Sequence, residues 1–335
     1  MLYVESINLA LHEIMEADRD VVLLGEDLLD PYGGAFKASR GLSTRFPAQV
    51  ISTPISEQAI VGAAVGMAMR GIKPIVEIMF GDFITLAVDQ IVNHATKYHW
   101  MFNEQVNVPI VIRTPMGGGR GYGPTHSQSL EALFMSIPGI SICAPSIYHD
   151  PGQLLKRSVL AEEHPVLFIE NKGAYPQKLR SGELLGDGLR KQILHDKGIS
   201  QTILISPYPE ESADVVIVTY GGMAQVAVDA ALALYIQEEI LVHVIIPSLI
   251  RQVTVDDFLD VVRQSGRLLI LEEGNKIGGW GAELTSRVQE EIFNDLLRPI
   301  QRVGAEDIPI PSSLPLEREI LPSQEKVVDM ILKML

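Results

Sequence analysis

Short apolar runs alternate with longer amphipathic segments along the first half of this chain. Most of the runs are apolar at nearly every position, which is typical of strands in a parallel sheet covered by helices on both faces. Six strands are predicted, at Val21 to Leu24, Gln49 to Thr53, Ile72 to Glu77, Val108 to Arg113, Ile140 to Ala144 and Val166 to Glu170. Helices are predicted between them, at Glu5 to Ala17, Glu57 to Arg70, Phe83 to Met101 and Pro151 to Glu162. We therefore expect an α/β fold built on a mostly parallel sheet.

The second half repeats this alternation after an irregular stretch. Strands are predicted at Asp214 to Tyr220, Ile240 to Ile246, Arg267 to Glu272 and Pro299 to Val303, and helices at Ala224 to Gln237, Asp256 to Gln264, Ala282 to Phe293 and Gln324 to Leu335. The stretch between the two halves mixes Gly, Pro and charge without a period, which suits a linker with a small hairpin. We therefore predict two doubly wound α/β domains, residues 1-180 and the smaller 213-335, joined by a linker at 181-212.

Composition narrows the class of protein without identifying an activity. The chain has 335 residues, of which 47% are hydrophobic, enough for two domains with ordinary cores. The net charge of -15 argues against nonspecific nucleic-acid binding, which needs a basic surface. No apolar run approaches the roughly 20 residues of a membrane helix. No secretory signal is visible and Cys143 is the only cysteine, so we expect a cytoplasmic protein.

Two glycine-rich segments resemble binding motifs only in part. The run from Gly117 to Gly123 follows a strand but does not match G-x-G-x-x-G in any register, so no Rossmann dinucleotide site is expected. Gly186-Asp-Gly188 is similar to the start of the motif that binds Mg²⁺ and diphosphate in thiamine diphosphate enzymes. The Asn that completes that motif is missing, because no Asn lies between Asn171 and Asn275. We therefore predict no metal ligands in this chain.

Three side chains are predicted to meet at the carboxyl edge of the first sheet, where ligands of open α/β sheets usually bind. Glu57 opens a helix after a strand, Phe83 follows the next strand, and His126 ends a glycine-rich loop after a third. Each has an ordinary explanation: an acid favoured by the helix dipole, a core aromatic and a loop histidine. Their convergence at one edge favours a functional site.

The chain resembles the β subunits of thiamine-diphosphate-dependent 2-oxo acid dehydrogenase E1 components, in the transketolase-like group, over nearly its whole length. The motifs that carry the resemblance are Leu23-Leu-Gly-Glu-Asp27, Gly34-Ala-Phe-Lys-Ala-Ser-Arg-Gly-Leu42, Thr53-Pro-Ile-Ser-Glu57, Asp89-Gln-Ile-Val-Asn93, His126-Ser-Gln128 and Ile137-Pro-Gly139. Each motif is weak alone, but their order and spacing together are specific.

The resemblance implies a role for five residues. Glu57 would hydrogen-bond N1′ of the aminopyrimidine of thiamine diphosphate, assisted by Glu26 through a buried acid or water network. Ile55 and Phe83 would line the pyrimidine pocket. His126 would reach the substrate or the covalent intermediate, in decarboxylation or in reductive acyl transfer to a lipoyl arm, and the sequence leaves both roles open.

The resemblance also implies partners. A separate α subunit would supply the diphosphate anchor and Mg²⁺ in an α2β2 heterotetramer, with a lipoyl-bearing E2 acyltransferase or a carrier protein as acceptor. Backbone carbonyls near Ile110 and Ala161 would offer a site for an alkali ion. Arg120 and Leu86 depart from the family pattern near the acyl pocket. Two alternatives stay open: a transketolase-like enzyme that moves a ketol or acyl unit from another donor, and a noncatalytic assembly subunit.

Overall fold

The computed structural model describes residues 1–335, and its first six strands form a single parallel sheet. The strands are β1 (Val21–Gly25), β2 (Val50–Ser52), β3 (Lys73–Glu77), β4 (Val111–Met116), β5 (Ser141–Cys143) and β6 (Val166–Asn171). Their order in the sheet is β2-β1-β3-β4-β6-β5, and every neighbouring pair is parallel. The predicted mostly parallel sheet is confirmed, with strand ends that shift by a few residues.

Helices cover this sheet and shape its carboxyl edge. They are α1 (Tyr3–Ala17), α2 (Leu42–Arg45), α3 (Glu57–Ala68), α4 (Tyr98–Met101), α5 (Ala132–Met135) and α6 (Pro151–Leu160). α1 packs against α6. Pro151 occupies the first turn of α6, where its missing N–H costs nothing, and the Asp150 side chain accepts the N–H of Gln153 at 3.2 Å.

The helix predicted from Phe83 to Met101 is wrong as one continuous element. The chain forms a 3-10 helix at Gly81–Ala87, a π-helix at Gln90–Ala95 and then the short α4. Close packing accounts for the change of pitch. A Cβ at Gly81 would lie 2.3 Å from Cγ of Met116, and one at Gly62 of α3 would lie 3.1 Å from Oε1 of Gln90. The segment therefore follows two tightly packed surfaces rather than one straight axis.

The second sheet is mixed. It contains β7 (Leu184–Gly186), β8 (Leu189–Lys197), β9 (Ser200–Ser206), β10 (Val215–Thr219), β11 (Val242–Pro247), β12 (Leu268–Asn275) and β13 (Gln301–Ala305). Their order is β13-β12-β10-β11-β9-β8-β7, with the first four strands parallel and the last three antiparallel. Its helices are α7 (Met223–Glu238), α8 (Leu259–Ser265), α9 (Trp280–Ile292), α10 (Leu314–Ile320) and α11 (Gln324–Met334).

Residues 181-212 were expected to form a linker. In the structure they contain β7, β8 and β9, which belong to the second sheet. Ile203, Leu204 and Ile205 are fully buried, so both faces of β9 contribute to the core. The hairpin anticipated in this stretch is present. Gly186, Asp187 and Gly188 form its turn with φ of 84°, 52° and 78°, the left-handed conformation that tight hairpin turns need.

The two domains meet along a continuous junction. Cys143 of β5 pairs with Leu249 after β11, and the N–H of Ala144 donates to the carbonyl of Ser248 at 2.7 Å. Each of the two large apolar clusters contains residues of both domains. The domains therefore share core packing as well as backbone hydrogen bonds.

A buried ion cluster joins three adjacent strands of the first sheet, β3, β4 and β6. Arg113 of β4 donates to Glu170 of β6 through Nε at 2.7 Å and to Glu77 of β3 through Nη1 at 2.9 Å. Ser39 and Tyr175 donate to the same two carboxylates at 2.6 and 2.8 Å. Burial alone would lower the pKa of Arg113, but the charges of Glu170 and Glu77 outweigh it and hold that pKa above its ordinary value.

Replacement of Arg113 by leucine should be strongly destabilising. The change leaves two buried carboxylates without their cation, and we expect the free energy of unfolding to fall by about 3–5 kcal/mol at pH 7. Urea unfolding at pH 7 measures this loss.

Arg45→Leu provides the matched control. Arg45 pairs with Glu16 at 2.6 Å, but the two side chains are 50% and 62% exposed. Its loss should cost less than about 1 kcal/mol. Equal losses for the two arginine variants would contradict a special role for the buried cluster.

Candidate active site

The carboxyl ends of five parallel strands bring the candidate residues to one edge of the first sheet. Glu26 follows β1, Glu57 follows β2, Phe83 follows β3, His126 follows β4 and Lys172 follows β6. Because parallel strands all end on the same side, these side chains approach the edge from separate segments. α3, which begins at Glu57, packs against the 3-10 helix that carries Phe83.

Glu57 and Glu26 are two buried carboxyls in electrostatic contact. Glu57 is 5% exposed and Glu26 is 8% exposed. Burial, and next the charge of Glu57, raise the pKa of Glu26 above its ordinary value. Oε1 of Glu26 is buried without a hydrogen-bond partner in the chain. An orphaned buried carboxyl oxygen beside a second acid suits a site that holds a proton and presents it to a ligand.

His126 lies between two aromatic rings. Its ring centroid is 5.1 Å from that of Phe83 and 4.7 Å from that of Phe80, and both pairs are edge-to-face. Nδ1 of His126 lies 2.9 Å from Oγ1 of Thr125. Nε2 is thus the ring nitrogen left to face a ligand. The structure brings Phe83 and His126 together, as the sequence predicted, and adds Phe80.

Lys172 is a site residue that sequence reasoning missed. It is fully buried, its Nζ donates to the backbone carbonyl of His126 at 2.5 Å, and it lies 5.4 Å from the ring centroid of Phe80. Burial lowers the pKa of Lys172 to about 8. Burial also raises the pKa of Asp82, whose Oδ2 has no hydrogen-bond partner in the chain. The available signal was a lysine directly after a buried strand, the position where ligand-facing residues occur.

Ile55 lies on the outside of this region. Its side chain is 83% exposed, so the chain itself does not cover it. Leu86 is also exposed. The pocket-lining role expected for Ile55 therefore stays a prediction that requires another molecule on this surface.

The glycine-rich loop between β4 and His126 is held by carboxylates of the second domain. The N–H of Gly118 donates to Glu273 at 2.6 Å, and those of Gly119 and Gly121 donate to the two oxygens of Glu317, each at 2.8 Å. Both acids are buried. The loop is not a phosphate cradle open to a ligand, because its amides bind the protein's own carboxylates.

Glu131 makes a further polar contact between the domains. The hydroxyl of Tyr220 donates to its carboxyl group, and a cavity of about 20 Å³, lined also by Asn171 and Glu273, lies beside them. Burial raises the pKa of Glu131 to about 7, although the Tyr220 hydrogen bond opposes the shift. The domain interface thus contains an acid that titrates near neutral pH.

No group of three or more His, Cys, Asp or Glu side chains has the arrangement of a metal site. None of the helices combines the length and the apolar character needed to cross a membrane.

Two protein-family models and several known proteins match this chain. Residues 1–178 match the pyrimidine-binding domain of transketolase, and residues 207–327 match the transketolase C-terminal domain. The 2-oxoisovalerate dehydrogenase subunit beta of Bacillus subtilis is 36% identical over 329 residues, covering 98% of this chain and 96% of the relative. The pyruvate dehydrogenase E1 component subunit beta of Rickettsia bellii is 34% identical over 335 residues, covering 98% and 97%.

Solved structures support the fold. An inactive β4 tetramer of a split-gene transketolase superposes with a TM-score of 0.72 at 21% identity, covering 100% of this chain and 98% of that one. A transketolase from Pichia stipitis superposes with a TM-score of 0.68 at 17% identity, covering 100% of this chain and 46% of the other.

Glu131→Gln should change how stability depends on pH. The folded carboxyl has a pKa of about 7, above the value of about 4.3 in an unfolded chain, so the folded state binds more protons between these limits. The free energy of unfolding of the wild-type protein should therefore fall, by up to about 3 kcal/mol, as pH rises through this window. Glutamine does not titrate, so the variant should gain stability relative to the wild type from pH 5 to pH 8.

Thermal unfolding midpoints at several pH values measure this effect. Glu291→Gln, at an exposed position, is the matched control and should keep a constant difference from the wild type. A constant difference for Glu131→Gln as well would contradict the prediction.

Proposed function

The chain belongs to the transketolase-like family, among the β subunits of 2-oxo acid dehydrogenase E1 components, and from this we propose that it forms half of the active site of a heteromeric thiamine-diphosphate enzyme. The enzyme decarboxylates a 2-oxo acid oxidatively and passes the acyl group to a lipoyl domain. The observation that carries the proposal is the buried Glu57–Glu26 pair at the same sheet edge as Phe83 and His126.

The residues at this edge fit thiamine diphosphate. When bound, the cofactor supplies the carbon nucleophile and the electron sink that a 2-oxo acid needs to lose CO2. Glu57 would hydrogen-bond N1′ of the aminopyrimidine, and Glu26, whose pKa is raised by burial and next by the charge of Glu57, would assist it from the neighbouring buried position. Phe83 and Ile55 offer apolar surface to the pyrimidine ring.

His126 moves a proton at Nε2, since its Nδ1 is engaged by Thr125. Phe80 and Phe83 fix the plane of its ring from two sides. Lys172 holds the backbone carbonyl of the same residue and adds positive charge behind it. These contacts suit either decarboxylation or acyl transfer.

The partner that completes the site is an α subunit, which we propose holds the diphosphate and Mg²⁺ in an α2β2 heterotetramer. The relatives that match over nearly their whole length are named as beta subunits, of 2-oxoisovalerate dehydrogenase and of the pyruvate dehydrogenase E1 component. The exposed side of α3 has small residues, with Ala63 exposed and open space at Gly66, so another helix can approach closely. Ile55, just before α3, and Leu86, in the 3-10 helix that packs against α3, are further exposed apolar residues beside it.

Further parts of the assembly belong to the same proposal. An alkali ion held by carbonyls near Ile110 and Ala161 would stabilise the junction of β4 and α6. The acidic chain would dock a basic region of an E2 acyltransferase. The single cysteine, Cys143, is buried and needs no oxidising compartment, and we propose a cytoplasmic location.

A second candidate function is transfer of a ketol or acyl unit from another donor to a carrier protein or other acceptor. Arg120 favours it, because this cation in the glycine-rich loop forms no ion pair within the chain and could meet the phosphate of a sugar substrate. The remaining alternative is a noncatalytic assembly subunit, in which Glu57 would only favour the start of α3.

Glu57→Gln should abolish most turnover without affecting assembly. The amide keeps the shape of the side chain but loses the transferable proton, and we expect kcat to fall by about 10²–10⁴-fold. Glu325→Gln is the matched control, because Glu325 is an exposed acid in the first turn of α11. Gel filtration of the reconstituted complex confirms assembly, and full activity of Glu57→Gln would support the noncatalytic alternative.

Substrate preference separates the two enzymatic candidates. We expect the chain, co-expressed with an α subunit that carries the complete Gly-Asp-Gly…Asn motif, to consume a 2-oxo acid with release of CO2. Activity with ketose phosphates alone would overturn the dehydrogenase proposal. The isolated chain is the control, and calorimetry should show weak or no binding of thiamine diphosphate to it because the diphosphate site lies on the partner.

A further inference from the structure

The glycine-rich loop at the catalytic edge is held by side chains of the second domain. Three of its amides donate to Glu273 of β12 and Glu317 of α10 at 2.6 to 2.8 Å. Neither acid lies within 150 residues of the loop, as their separations of 155, 196 and 198 residues show. The folding of the C-terminal domain therefore determines the path of the loop.

The glycines of the loop allow this contact through their backbone conformation and their lack of a side chain. Gly117, Gly119, Gly121 and Gly123 have φ of 95°, 85°, 69° and 81°, and such alternation turns successive N–H groups toward one side as an anion-binding nest. A Cβ at Gly118 would lie 3.0 Å from Oε1 of Glu317, and one at Gly121 would lie 3.0 Å from the carbonyl of Ser312. Other residues would push the loop away from α10.

The same loop ends at His126, where a second contact holds it. Lys172 donates to the carbonyl of His126, and Thr125 contacts its ring. Asn171, next to Lys172, donates to Glu273 at 2.9 Å. Glu273 therefore contacts both the start of the loop, at Gly118, and Asn171, the residue that precedes the lysine at the end of the loop.

We propose that Glu317 is a positioning residue for His126. By binding the N–H groups of Gly119 and Gly121, it fixes the loop that places the imidazole between Phe80 and Phe83. The C-terminal domain thereby controls proton transfer without touching substrate. The positioning of the loop by Glu317 is independent of the proposed function. Only the reaction in which His126 takes part rests on it.

Hydrogen exchange of the full-length chain tests the structural part without any enzyme assay. In Glu317→Gln one of the two amide donors loses its acceptor, because the new side chain has only one oxygen. Peptides that cover residues 117–128 should then exchange at least 10-fold faster than in the wild type. Glu319→Gln removes the same charge from an exposed position on the same helix and should leave exchange unchanged. Equal exchange in both variants overturns the proposal.

Activity of the reconstituted complex tests the functional part. We expect kcat/KM of Glu317→Gln to fall by roughly 10- to 100-fold, since misplacement of a reacting group by about 1 Å has an effect of this size. In combination with His126→Ala, Glu317→Gln should cause no further loss, because it acts through the histidine. Additive losses would show a merely structural role and overturn the proposal.

Three further outcomes keep the tests independent. If Glu317→Gln does not fold, Gly121→Ala disturbs the same contact from the loop side, at a φ of 69°, and should reproduce the faster exchange and the lower activity. If the complex turns over no 2-oxo acid, the proposed function fails while exchange still decides the role of Glu317. If turnover is normal in Glu317→Gln, the positioning role fails and the proposed function stands.

Discussion

The buried charge of Arg113, in the first sheet, constrains the register of its strands and the position of the segments that follow them. Its guanidinium, bound on one side by Glu170 and on the other by Glu77, ties β4 to both of its neighbours. A slip of one residue in any of these strands would turn a charged group to the opposite face, at a cost of several kcal/mol. The register is thereby fixed for the three strands whose carboxyl ends lead to Phe83, His126 and Lys172.

At the domain interface, buried carboxyl groups accept hydrogen bonds from neutral donors rather than from a cation. Glu131, Glu273 and Glu317 are buried near one another, and burial raises the pKa of Glu131 and Glu273. No arginine donates to the oxygens of these acids. They accept hydrogen bonds from glycine amides, from the Asn171 side chain and from the Tyr220 hydroxyl. At this loop a Cβ at Gly118 would lie 3.0 Å from Oε1 of Glu317, and one at Gly121 would lie 3.0 Å from the carbonyl of Ser312, so the glycine-rich loop and the acids are mutually dependent.

Local patterns in the sequence were enough to predict most of the fold and part of the candidate site. The buried strands and the predicted edge residues Glu57, Phe83 and His126 follow from hydrophobic runs and from where those runs stop. Lys172 and Glu317 could not be found in this way, because their importance comes from contacts with residues distant in the chain. The strand β9 was missed for a similar reason: its apolar residues fill a core that only the adjacent β11 completes.

The shared loop also restricts how such a chain can evolve. The first domain supplies the glycines and His126, and the second supplies the acids that bind the glycine amides, so we expect neither domain to be interchangeable with its counterpart from a related protein. Recombination near residue 180 would join a loop to an α10 of different shape and leave the histidine misplaced even if both halves folded. The two halves should therefore be inherited as one unit, with substitutions in the loop accompanied by compensating changes near residue 317.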